Sequence, residues 1–153
     1  MENASKALIM AGGVLIGILI ISLAVYLFAD FGTTSAEINK ENAERQLEQF
    51  NTQFSTYLNR TNITGYELVS VVNLAKENNR QYEGTNNYES ESNGYKIDIK
   101  VGNTTIIGLS IDELERSYIK IDDYGQPQLY TCNGIDYDSQ NGRVRVVYFK
   151  ITE

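Results

Sequence analysis

The residues closest to doing chemistry are Asp136, Asp138 and Asn141, whose spacing faintly resembles a calcium loop. Such a loop needs Gly at its sixth position and Glu at its twelfth. Counting from Asp136, those positions hold Asn141 and Val147. Asn141-Gly142 explains itself better as the turn of a β-hairpin. Asp112, Glu113 and Glu115 form a second acidic group, and Asp122-Asp123 a third. Paired carboxylates do acid–base work when burial splits their pKa values, but these fall in a turn and on a solvated helix. Cys132 is the single cysteine and lies within a strand. With no His anywhere in 153 residues, no imidazole can activate that thiol or supply the commonest metal ligand. The reading is therefore a chain with no catalytic residues, no metal site and no cofactor. Lys plus Arg is 13 against 20 Asp plus Glu, a net charge of −7. That balance argues against a nucleic-acid partner, which requires a basic face.

What must be positioned instead is apolar. Residues 7–29, ALIMAGGVLIGILIISLAVYLFA, carry no charge over 23 positions. A helix of that length spans about 34 Å, enough for a hydrocarbon core of about 30 Å. A cleaved signal peptide has a shorter apolar core behind a basic start. The triplet Thr34-Ser35-Ala36 only mimics a cleavage site, so the segment is expected to be an uncleaved anchor. Lys6 precedes the span and Asp30 follows it. Basic flanks stay in the cytoplasm, which places residues 1–6 inside and residues 30–153 outside. Gly12, Gly13, Gly17 and Ala24 punctuate the span. Gly13 and Gly17 have the Gly-x-x-x-Gly spacing that lets helix backbones approach in lipid, and these four are the candidate helix-packing residues.

Residues 30–62 read as an amphipathic helix, restarted at a Thr34/Glu37 capping box or continuous with the span through Gly32. Its apolar stripe of Ala43, Leu47, Phe50, Phe54 and Tyr57/Leu58 recurs at helical spacing. Leu47, Phe50 and Phe54 are the candidate sheet-packing residues. Residues 63–153 form the remaining α+β domain. A second helix is capped by Thr64 with Glu67, a polar loop covers 78–94, and strands are expected at 95–101, in TTIIGL, at 118–121, at 129–137 and at 143–152. Ser110 and Glu113 frame a short helix. The fold class is thus α+β: a transmembrane helix running into an amphipathic helix, then an antiparallel sheet of about four or five strands. Ten of the eleven Tyr lie outside the span; Tyr82, Tyr88 and Tyr124 fall in polar stretches and are the ones expected to be exposed. Asn59, Asn62 and Asn103 begin Asn-x-Thr triplets, glycan acceptors only in a host that modifies them.

This layout resembles the type IV pilin class and, more generally, small single-span surface proteins. The resemblance covers the whole chain in arrangement; the residues before Ala7 hold no Gly and the span holds no Glu, the two marks of a pilin leader and helix. It implies a non-enzymatic filament subunit whose partners are the membrane, copies of itself and an assembly machinery. In that arrangement residues 7–29 pack in the core, Leu47, Phe50 and Phe54 hold the sheet, and loop 78–94 faces outward. Its place would be the cell membrane or a cell-surface filament. The other reading is a monomeric membrane-anchored extracytoplasmic domain that binds a partner or serves as an accessory, with the helix as a tether.

Overall fold

The computed structural model describes residues 2–85, 88–89, 94–121 and 124–152. Helix α1 runs over Glu2–Ser55. The chain divides into two compact units, Met1–Arg45 and Gln46–Glu153. No helix restarts at Thr34: residues 30–35 are helical throughout, and the Thr33 hydroxyl donates back to the Asp30 carbonyl at 2.8 Å.

In the second unit α1 ends before its apolar period does. Tyr57 and Leu58 leave the helix through tight turns onto Phe54 and Ser55, and Asn59 adopts φ 63°. Asn tolerates this left-handed conformation better than most residues and commonly closes helices. The chain then pairs at once: the Asn59 amide donates to the Cys132 carbonyl at 2.9 Å, and the Cys132 amide donates to the Arg60 carbonyl at 3.1 Å.

The elements that follow are β1 (Ile63–Thr64), α2 (Gly65–Tyr82), β2 (Asp98–Val101), β3 (Thr104–Thr105), α3 (Ile111–Tyr118), β4 (Leu129–Tyr137) and β5 (Val144–Ile151). Two of the three capping boxes expected from sequence are formed. Thr64 and Ser110 accept from the backbone amides of Glu67 and Glu113, whose carboxylates accept in return from the cap amides. Helix α2 runs on to Tyr82, into the stretch expected as loop, where Asn78 and Asn79 are buried and satisfied. Asn79 donates to the Ile97 carbonyl and accepts from its amide, both at 2.8 Å, while Asn78 donates to the Tyr95 carbonyl. The start of the expected 78–94 loop is therefore helix, and its middle lies outside the described residues.

The five strands form one sheet in the order β1-β4-β5-β2-β3. It is mixed rather than wholly antiparallel: β2 runs parallel to β5, Asp98 opposite Val146 and Val101 opposite Phe149. The expected strands include β2, β3, β4 and β5 but not β1, and not the parallel partner of β5, because alternation fixes which face a strand buries and says nothing of its neighbour's direction. Residues 118–121 are not a strand; α3 takes Tyr118, and Ile121 makes only an isolated bridge with Pro127. The core joins Phe54, the α2 stripe of Leu68, Val71, Val72 and Ala75, and the inward residues Ile97, Ile99, Tyr130, Cys132, Val147 and Phe149.

Candidate functional site

In the first unit the notable surface is α1 itself. Of the described helices, one is long and apolar enough to cross a membrane, and it is this one. Every large apolar side chain from Leu8 to Phe31 is exposed, as is Ile38. Gly12, Gly17 and Ala24 are half-covered by their neighbours and Gly13 is exposed. A Cβ built on Gly12, Gly13 or Gly17 meets nothing within 4 Å. Glycine costs a helix interior about 1 kcal/mol relative to Ala, and no contact within the chain asks for it. Ion pairs Lys40–Glu44 and Glu41–Arg45, each one turn apart, decorate the helix beyond the apolar run.

In the second unit the last turns of α1 are built into the domain. Phe54 is fully buried and Phe50 meets it edge-on, ring centroids 5.6 Å apart. Leu47 is half-buried, its Cδ2 beside Gly142. Asn51 was not anticipated: its amide donates to the Gly142 carbonyl at 2.8 Å and accepts from the Val144 amide at 3.0 Å, standing in for a neighbouring strand at the start of β5. Arg143 was missed as well. Its guanidinium lies 3.8 Å from the Phe50 ring centroid and 5.3–5.4 Å from those of Tyr95 and Tyr82, and it donates to Asn78 Oδ1 at 2.9 Å. Tyr82, expected in an exposed loop, is the last residue of α2 and stacks on Tyr95 at 4.5 Å. Tyr88 is half-buried, with Lys96 over its ring. Tyr124 is the exposed one, at 90%.

Asp138 and Glu113 serve structure. The side chain of Asp138 is fully buried and accepts from the Gln140 and Asn141 amides at 2.9 and 3.0 Å, fixing the turn that Asn141-Gly142 closes with Gly142 at φ 68°. Arg145 lies 3.6 Å from its other oxygen. Glu113 is engaged at its helix cap, and its pKa is held down by the Ser110 amide and hydroxyl. Asp122 and Asp123 lie outside the described residues. Cys132 is buried in β4, and burial raises its thiol pKa. Among the described residues, no three His, Cys, Asp or Glu side chains stand together as metal ligands. A cleft lined by Ile121, Pro127, Leu129 and Ile151, with Lys120 and the Gln126 and Gln128 amides, indents the far end of the sheet.

Comparison with known proteins finds no significant match to a family model, a curated protein or a solved structure.

Proposed function

We propose that this protein is a non-enzymatic, pilin-like structural subunit of the cell surface. Residues 7–29 of α1 anchor it in the membrane, residues 30–153 lie outside, and copies assemble along α1. One observation carries the reading. A single helix leaves every large apolar side chain of its N-terminal half uncovered, while Phe50, Asn51 and Phe54 at its other end are integral to a folded domain. Such a helix needs an apolar environment for its first half. Gly13 and Gly17, which no contact within the chain requires, supply the close approach that helix association in lipid uses. Lys6 before the span and Asp30 after it set the orientation.

A monomeric anchored binding domain is the second reading. Tyr124, Ile121 and Tyr66, the most exposed large apolar residues of the domain, favour it, with Ile121 lining the cleft at the end of the sheet. Fractionation of expressing cells, protease treatment of intact cells and chemical cross-linking distinguish the two. The subunit reading expects carbonate-resistant membrane association, loss of the domain to external protease, and ladders of cross-linked copies. Monomers alone would leave the tethered domain. Protection from external protease would reverse the orientation.

A further inference from the structure

In the domain unit Arg60, Arg80 and Arg145 each meet a carboxylate, at 2.9, 2.8 and 3.6 Å. Arg143 is half-buried and meets none among the described residues. Charges drawn out of water are ordinarily paired. The Phe50, Tyr82 and Tyr95 rings attract this cation but accept little from its N–H edge. Its one protein acceptor among the described residues is Asn78 Oδ1, at 2.9 Å. Asn78 is 7% exposed, and its own amide is tied to the Tyr95 carbonyl at 2.7 Å, so it cannot swing. Phe50 on one side and Asn78 on the edge thus fix the guanidinium plane, with N–H donors to spare. Arg143 lines a pocket of about 310 Å³ between the last turns of α1 and α2. Gln46 and Gln53 of α1 and Gln81 of α2 complete its polar wall, and none of their side-chain amides has a partner among the described residues.

We infer that this pocket binds a small hydroxylated carboxylate, a sugar acid of the uronic class. The inference goes beyond the proposed function and does not depend on the anchoring. The carboxylate lies on Arg143, whose planar fork matches two oxygens and is already held in place. The ligand is a monoanion. Glu77 also lines the pocket, and although Arg80 pairs with it, its charge opposes a dianion such as phosphate. The glutamine amides each donate and accept, as hydroxyl groups do, so they suit a polyol rather than a bare fatty acid. Leu74 adds apolar area for the C–H face of a ring. The volume stands at the low end of small-molecule sites, about 300–1,000 Å³, and takes a single ring.

Titration calorimetry of the full chain in detergent, with sodium glucuronate as the probe, tests this. Saturable binding with a Kd of about 1 mM or tighter is expected, with glucose at least about tenfold weaker because it lacks the carboxylate. Arg143→Lys keeps the charge and loses the fork, and is expected to weaken glucuronate about tenfold. Arg143 also packs against three rings, so the exposed pair Gln46→Leu/Gln81→Leu provides a variant whose folding is not at stake. It is expected to weaken glucuronate severalfold and to leave the melting temperature unchanged. Methyl glucuronoside distinguishes the sources: binding equal to glucuronate assigns the site to the end of a glycan, weaker binding to the free acid, and either upholds the pocket. No saturable binding of glucuronate or its methyl glycoside, equal binding of glucose, or parent affinity in the glutamine double variant overturns it.

Discussion

Gly65 opens α2 where that helix crosses the end of α3, and a Cβ there would press on the Tyr118 carbonyl oxygen and the Ile119 Cα. Backbone on both sides cannot move aside, so Gly65→Ala is expected to cost about 1–3 kcal/mol, read as a drop in melting temperature of the soluble domain. Two residues on, Glu67 caps α2. Its pKa is held below the usual value first by the Thr64 amide, against the opposing effect of burial, and then by Arg60 at 2.9 Å. A depressed folded pKa contributes stability that is present above the unfolded value, near 4.5, and is lost as pH falls through the folded one. The domain should therefore melt at progressively lower temperature as pH drops below about 5, and Glu67→Gln should flatten that dependence. An unchanged slope in the variant would assign the acid sensitivity elsewhere. Arg143→Ala removes the guanidinium from three rings, an expected loss of about 1–2 kcal/mol. Arg143→Lys should recover little, because the planar stack is lost. At this scale the Thr64 and Ser110 caps were legible in the sequence, since donor and acceptor lie three residues apart, whereas the same spacing at Thr34 and Glu37 falls inside α1. Asn51 and Arg143 were not, because their partners are 93 and 65 residues away along the chain.

The last turns of α1, residues 46–55, belong to the domain rather than to a connector. Phe54 is fully buried, and the Asn51 amide serves the start of β5. A fragment of residues 46–153 should melt cooperatively with a mixed helix and sheet spectrum. A fragment beginning at residue 56 should not, because truncating a buried Phe alone costs about 3–5 kcal/mol. Cooperative folding of the shorter fragment would show that α1 merely abuts the domain. The stripe Leu47, Phe50, Phe54 was readable because helical period is local. The helix end was not, since Tyr57 and Leu58 keep that period while the backbone turns away at Asn59. Strands β4 and β5 were readable from alternation around a turn dipeptide, whereas the parallel partner of β5 depends on where β2 lands after α2. Both edge strands are two residues long, and the ladder of β4 is interrupted by irregularities after Cys132 and after Asp136. Short edges and bulges resist strand addition.

For the whole molecule, the uncharged stretch and the acidic remainder separate cleanly: Glu2 and Lys6 cancel, so the net −7 belongs to residues 30–153. Like-charged domains repel weakly at physiological salt, so the proposed association of copies is assigned to the helix. Association there rests on close packing, worth only about 1–2 kcal/mol per favourable contact in lipid. The most direct measurement is chemical cross-linking and electron microscopy of membranes and surface-sheared material, comparing the parent with Gly13→Leu/Gly17→Leu. The double variant stays apolar and long enough to insert, but its groove is filled. Assembled copies in the parent, with monomers inserted equally well in the variant, are the predicted result. A parent that is only monomeric, or a variant that assembles as fully as the parent, would contradict it.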